Sequence, residues 1–135
     1  MMDKKLIEKY LKLYPEIDKY INLFSDDLKY YQFKKTEYEM SHQNCDDIIE
    51  KIESGLKRRH EDILGLLEIK DYVAMTLVRA SRDCKKIVDM KLWQGKQWSE
   101  IASKVGISTR QAKRIYDQFF NYFENFKVNI DIDDI

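Results

Sequence analysis

The stretch between residues 96 and 114 is rich in Lys, Arg, Gln, Ser and Thr. Arg and Lys bind guanine edges and phosphate, Gln binds adenine, and Thr contacts base methyl groups and phosphate. The densest cluster is Thr109, Arg110 and Gln111, followed by Lys113 and Arg114. This pattern predicts a surface for double-stranded DNA, whose candidate contacts are Lys96, Gln97, Ser99, Lys104, Ser108, Thr109, Arg110, Gln111, Lys113 and Arg114.

Side chains suited to catalysis or metal binding are scarce in the rest of the sequence. His42 and Cys45 have a metal-like spacing, but the other candidates, His60 and Cys84, form no second close pair. The sequence contains neither a glycine-rich phosphate loop nor a nucleophile elbow. Its carboxylates alternate with Lys, as they do in ion pairs on helix surfaces. We therefore expect no enzymatic activity, no metal and no cofactor.

Two helices and the turn between them must position the basic cluster. Trp98, Ile101 and Ala102 share one face of a short helix, and Gly106 permits the positive φ that ends it. Ser108 is a good N-cap for the helix that follows. This order predicts a helix-turn-helix. The alternative is an ordinary helical hairpin whose exposed face is basic.

The second of these helices has an apolar stripe opposite its basic side chains. Ala112, Phe119 and Phe123 recur at helical spacing, with either Ile115 or Tyr116 between them. Ala112 is small, which suits a position where two helices pack closely. We expect the buried core of the motif to comprise Trp98, Ile101, Ile107, Ala112 and Phe119.

The region from Cys84 to Phe120 resembles a known family of motifs, and its sequence is CKKIVDMKLWQGKQWSEIASKVGISTRQAKRIYDQFF. It is similar to the fourth region of bacterial sigma factors and to the helix-turn-helix of small phage regulators of the RinA and ArpU type. The similarity rests on Leu92-Trp93-Gln94-Gly95, Trp98, Ile101-Ala102 and Gly106-Ile107-Ser108. Gln97 departs from the family, which usually has a Ser or Thr cap there. The resemblance implies that DNA is read by Thr109, Arg110, Gln111, Lys113 and Arg114.

The charge of the chain is zero overall but unevenly distributed. Between Cys84 and Phe120, eight basic and three acidic side chains leave an excess of five positive charges. Residues 121–135 carry an excess of three negative charges. A positive field concentrated on one segment is typical of nucleic-acid binding, whereas the low total charge predicts weak non-specific affinity.

The first 80 residues are expected to form helices with apolar stripes. A short helix from Lys4 to Leu13 precedes Pro15, which is well placed to open the next helix. The apolar residues of that next helix follow heptad spacing, at Ile17, Ile21, Phe24, Leu28 and Tyr31. The polar residues 41–44 then predict a loop.

A long helix is predicted from about Asp46, with Asn44 or Asp46 as its cap, to about Arg79. Gly55 and Gly65 weaken the case for an unbroken helix. Its apolar residues keep near-heptad steps, at Ile49, Ile52, Leu56, Ile63, Leu66, Val73 and Leu77. Its natural partner is the preceding helix in an antiparallel pair, or the same helix of a second subunit. We therefore expect self-association, and a homo-oligomer.

Composition favours a helical class for the whole chain. Of 135 residues 44% are hydrophobic, and one Pro and four Gly leave little material for many turns. We find no apolar run of membrane-spanning length and no signal peptide. Cys45 and Cys84 are far apart and are expected to be buried or free thiols in a reducing cytoplasm. Ser81 is expected to cap the helix that begins the motif domain.

These observations predict an all-α protein, with long N-terminal helices (a helical hairpin or a coiled-coil-like pair) followed by a C-terminal helix-turn-helix domain. The expected regions are a self-associating part at 1–80, a DNA-binding domain at 81–127 and an acidic tail at 128–135. The predicted function is sequence-specific binding of double-stranded DNA to regulate transcription, and the resemblance implies a phage or prophage origin. Two alternatives stay open, a small DNA-packaging subunit with the same motif and an interaction protein that binds RNA polymerase.

Overall fold

The computed structural model describes residues 3–41, 43–128 and 130, which form helices, turns and loops without strands. The predicted all-α class is confirmed. The helices are α1 (Lys4–Leu13), α2 (Ile17–Glu39), α3 (Asp46–Arg79), α4 (Arg82–Val88), α5 (Trp98–Val105) and α6 (Thr109–Asn121). Tyr14–Glu16 form a 3₁₀ turn, and Asp89–Trp93 form a π-helical turn. Within the described ranges, no helix has the length and apolarity needed to cross a membrane.

Local hydrogen bonds account for several helix starts. The Ser81 hydroxyl accepts a hydrogen bond from the Cys84 amide at 3.1 Å, which confirms the predicted cap of α4. Of the two residues considered as a cap for α3, Asn44 provides a side-chain bond, because its Oδ1 accepts from the Asp46 amide at 3.2 Å. Pro15 lies in the 3₁₀ turn, so that α2 begins two residues later, at Ile17.

The described residues divide into two compact units. The motif unit contains the residues up to Tyr14 together with Lys70–Lys127, and the hairpin unit contains Pro15–Ile69 with the described residues after Lys127. The sequence predicted one N-terminal region at 1–80. In the structure, residues 3–14 and 70–80 belong with the C-terminal helices.

In the hairpin unit, α2 and the N-terminal part of α3 run antiparallel. The Lys35 ammonium lies 3.4 Å from the Glu53 carboxylate, and the Arg59 guanidinium lies 3.1 Å from the Asp27 carboxylate. Later residues of α2 therefore face earlier residues of α3. The predicted antiparallel helical pair is confirmed.

Gly55 and Gly65 permit close packing and do not interrupt α3. A Cβ atom at Gly55 would lie only 2.9 Å from the Tyr31 ring, and one at Gly65 would lie 2.9 Å from the Ile130 side chain. At either position the neighbouring side chain would have to shift to make room for a Cβ atom. The start of the predicted acidic tail therefore packs on α3, whereas residues 129 and 131–135 lie outside the described residues.

The heptad stripe of α2 is covered within the chain. Ile17 and Phe24 are buried, Ile21 and Leu28 are half-buried, and Leu66 is a fully buried residue of α3. The apolar residues whose heptad spacing suggested contact with a second subunit therefore pack inside the hairpin. Self-association stays a prediction, but the buried stripe of α2 no longer supports it.

The motif unit packs α1, α4, α5 and α6 around one apolar core. Its fully buried side chains include Leu11, Ile87, Ile101, Phe119 and Phe120. Complete burial of each such side chain contributes about 1.5–3 kcal/mol to folding. The aromatic ring before the Gly95 turn also fixes α1, since the Trp93 indole N–H donates to the Leu11 carbonyl at 2.8 Å. The core beneath α6 therefore depends on a helix at the far end of the sequence.

Candidate nucleic-acid interface

The turn between α5 and α6 has the geometry that its sequence predicts. Gly106 adopts φ +82° and ψ +31°, and its amide donates to the Ala102 carbonyl at 2.9 Å. The Ile107 amide donates to the same carbonyl at 3.1 Å. The Ser108 hydroxyl then accepts from the Gln111 amide at 3.1 Å, which caps α6 as predicted. The two helices are thus joined by a short turn that is satisfied by its own hydrogen bonds.

Three of the five residues predicted for the core of the motif are completely buried, and the other two are not. Ile101, Ala112 and Phe119 are completely buried. Trp98 and Ile107 are only half-buried, because Trp98 is the first residue of α5 and Ile107 lies in the turn that follows this helix. The Trp98 ring instead packs edge-on against Tyr116, with ring centroids 5.3 Å apart.

The structure also shows which of Ile115 and Tyr116 belongs to the buried stripe of α6. Tyr116 is buried and Ile115 is half-buried, and Phe120, which was not predicted, is completely buried. Burial raises the pKa of the Tyr116 hydroxyl well above its usual range, and the nearby carboxylates of Glu8 and Asp117 add to the shift. The phenol is therefore neutral in the folded protein, as a structural side chain in a core should be.

The face of α6 opposite this core is polar and open to solvent. All five predicted reading residues, Thr109, Arg110, Gln111, Lys113 and Arg114, are exposed. A groove of about 510 Å³ runs along this face, lined by Ser108, Arg110, Gln111, Lys113, Arg114, Asp117, Gln118 and Asn121. Within the described part of the chain, no ion pair occupies Arg110, Lys113 or Arg114. These three cations are therefore available to an anionic partner.

The predicted contacts on and before α5 have a different environment. Gln97, Ser99 and Lys104 are exposed, and Lys96 is half-buried. Gln97 makes no side-chain cap, in keeping with its departure from the family's usual residue. The Glu100 carboxylate lies between the two ammonium groups, 3.7 Å from Lys96 and 3.3 Å from Lys104. This pair of lysines therefore contributes less net charge than the cations of α6.

The two lysines also influence each other. A hydrogen bond with Lys104 lowers the pKa of Lys96, an effect to which desolvation and the like charge of Lys104 add. Hydrogen bonds with Lys96 and with Glu100 raise the pKa of Lys104. Lys104 is also exposed whereas Lys96 is half-buried, so Lys104 is the better candidate for a phosphate contact.

An ion pair with α1 was not predicted from the sequence. The Lys4 ammonium lies 2.8 Å from the Asp117 carboxylate and 5.1 Å from the centre of the Phe120 ring. Lys4 thus neutralises the acidic residue on the exposed face of α6 and fixes α1 to that helix. Helical spacing from Arg114 is the sequence signal that could have identified further residues of this face. Asp117, Gln118 and Asn121 follow Arg114 by three, four and seven positions.

Metal-binding and thiol side chains form no second candidate site among the described residues. Among the described residues, no group of three or more His, Cys, Asp or Glu side chains could hold a metal ion. His42, whose spacing to Cys45 resembles a metal site, lies outside the described residues. Cys45 and Cys84 are both buried free thiols, and burial raises the pKa of Cys84.

Compared with protein-family models, with curated proteins and with solved structures, the chain matches none of them.

Proposed function

We propose that this protein is a sequence-specific regulator of transcription that binds double-stranded DNA through α5 and α6. The observation that supports the proposal best is the separation of the two faces of α6. One face is locked into the core by Ala112, Tyr116 and Phe119, and the other presents Arg110 and Arg114 without an ion-pair partner among the described residues. In a helix-turn-helix, the first turns of the second helix enter the major groove.

The exposed residues of α6 divide by their chemistry into two roles. Arg110, Gln111 and Arg114 can form bidentate hydrogen bonds with base edges, which distinguish one base pair from another. Lys113 on α6 and Lys104 on α5 carry flexible point charges, which suit the phosphate backbone. The resemblance to regulators of the RinA and ArpU type points to the same function and to a phage or prophage origin.

The other helices give this face its rigidity. Tyr116 and Phe120 lie on the inner side of α6, and the Lys4 ammonium reaches across from α1 to both of their rings and to Asp117. A recognition helix must be held rigidly, because a base contact that has to be ordered on binding costs conformational entropy. The Lys4–Asp117 pair also keeps the Asp117 carboxylate from pairing with Arg114 or Lys113 one turn away.

The proposal is tested by selecting bound duplexes from a random library and then measuring affinity for variants. Arg110→Ala should cost about 1–3 kcal/mol on the selected site and reduce the preference among sequences, because a bidentate base contact is lost. Lys113→Ala should weaken binding to all duplexes alike and reduce the slope of log affinity against log salt by about 1. Affinities are measured by fluorescence anisotropy at several salt concentrations.

Lys51→Ala provides the matched control, since Lys51 is an exposed lysine of α3 in the hairpin unit. It removes the same charge and should change neither affinity nor salt slope. Failure to enrich any duplex sequence would contradict specific recognition. Equal losses on selected and random DNA for Arg110→Ala would contradict its role in base reading, and binding of RNA polymerase without DNA binding would favour the interaction protein.

A further inference from the structure

We propose that a second copy of this chain docks on the exposed face of α2, so that two α2 helices pair antiparallel in a twofold dimer. This face, here called the outer stripe, consists of Leu23, Tyr30 and Phe33 of α2 and of Met40, the C-cap residue that follows the helix. These side chains are 49%, 60%, 65% and 77% exposed, which is unusual for four large apolar residues along one helix. The inference does not depend on DNA binding.

The outer stripe is distinct from the stripe that packs inside the hairpin. At 3.6 residues per turn, the outer stripe points about 150° away from the inner stripe of Ile17, Phe24 and Tyr31. The inner face is occupied, because the Arg59 guanidinium lies over the Phe24 ring at 4.4 Å and Tyr31 packs on Gly55. The helix α2 is therefore apolar on two opposite faces, and only one of them is covered by its own chain.

The spacing of the outer stripe identifies the occupant as a second copy. The four residues are separated by 7, 3 and 7 positions, an order that reads the same in both directions. When two such helices run antiparallel about a point between residues 31 and 32, Tyr30 faces Phe33 of the other copy and Leu23 faces Met40. Every apolar residue then meets an apolar residue, as a twofold interface requires. An in-register parallel pair would also bring each of these residues against its own copy, but it would place Lys29 of one copy beside Lys34 of the other, whereas the antiparallel pair brings Lys34 near Asp27.

The same register places two equivalent acidic layers inside the interface, one on each side of the twofold axis. Asp26 and Glu37 lie along the outer stripe, and the antiparallel arrangement puts Asp26 of one copy opposite Glu37 of the other. On the flank, Lys34 of one copy approaches Asp27 of the other, although each also has an ion-pair partner in its own chain, Glu37 and Arg59 respectively. The apolar contacts thus drive pairing and the acidic layers weaken it. We expect a dissociation constant on the order of micromolar, because a single helix pair is small for a stable interface.

Sedimentation equilibrium of the full chain without DNA tests the surface and the register separately. Phe33→Glu should raise the dissociation constant by at least about tenfold, because it places a charge in the apolar centre. Val78→Glu is the control, since Val78 is another exposed apolar residue (77%) that lies on α3, and it should leave the dimer unchanged. Circular dichroism of both variants checks that the helices are retained.

Charge reversal tests the antiparallel register. Glu37→Lys and Asp26→Lys should each tighten the dimer by about tenfold, because each single change turns both repulsive layers into attractive ones. The double variant restores like charges in both layers and should return to wild-type affinity or weaker. In a parallel pair, each single change would place two lysines together and give no gain.

Three results would overturn the proposal. A wild-type protein that stays monomeric up to roughly hundreds of micromolar would exclude the dimer. A dimer that is insensitive to Phe33→Glu would assign self-association to another surface. A dimer that is lost with Phe33→Glu but not tightened by Glu37→Lys would exclude the antiparallel register.

Discussion

Replacing Ala112 by Glu tests the packing of α6 in the motif unit. Ala112 is completely buried, so the new carboxylate has to enter a space that holds one methyl group. The extra volume should cost about 1–3 kcal/mol through overpacking. A desolvated carboxyl also has a raised pKa and takes up a proton in the folded state. For a group with an ordinary pKa of about 4.3, remaining protonated at pH 7 costs about 3.7 kcal/mol.

The predicted loss at pH 7 is therefore about 5–7 kcal/mol, against a total stability of about 5–15 kcal/mol for a domain. The protonation part has a defined pH dependence. Because the folded-state pKa is raised, the folded state keeps a proton that the unfolded state loses, and stability falls as pH rises above about 4.3. At pH 5 the protonation part should shrink to about 1 kcal/mol.

Urea unfolding at pH 5, 6 and 7 measures this difference, and tryptophan fluorescence reports the motif unit because Trp93 and Trp98 both lie in it. Gln111→Glu is the matched control. It introduces the same charge at the adjacent exposed position and should change stability by less than about 0.5 kcal/mol. An unchanged midpoint for Ala112→Glu would show that the helix pairing is wrong. A loss that is equal at all three pH values would show that the introduced carboxylate stays in water.

Two further changes test the turn and the core. Gly106→Ala should lower stability by about 1–2 kcal/mol, because φ is +82° although an added Cβ would meet no atom within 4 Å. Thermal unfolding measures the loss against Ser103→Ala, an exposed change in α5, and equal melting temperatures would refute the left-handed turn. Tyr116→Phe should raise the pH of alkaline unfolding, since the raised pKa of Tyr116 makes the wild type lose stability above about pH 10. Circular dichroism against pH, with exposed Tyr30→Phe as control, would contradict this if both variants kept the wild-type midpoint.

Features that depend only on residues close together in the chain could be predicted from the sequence. A serine cap needs only an amide three residues later, and the bonds of Ser81 and Ser108 are of this kind. Gly106 ends α5 because the backbone there requires a positive φ. The helical repeat of Ala112 and Phe119 likewise placed the basic side chains on the opposite face of α6 without knowledge of any partner.

Which apolar side chains are buried, and which segments cover them, could be read only from the folded structure. Heptad spacing on α2 marks an apolar face but does not name its partner, and the structure shows that α3 covers it. The Lys4–Asp117 pair joins residues 113 positions apart, and the Trp93 indole reaches the Leu11 carbonyl across 82 positions. No repeat in the sequence connects such residues, because their contact depends on how whole helices pack. Gly55 and Gly65 are a further example. Glycine weakens an isolated helix, but in the folded protein another segment packs closely against each of these two positions.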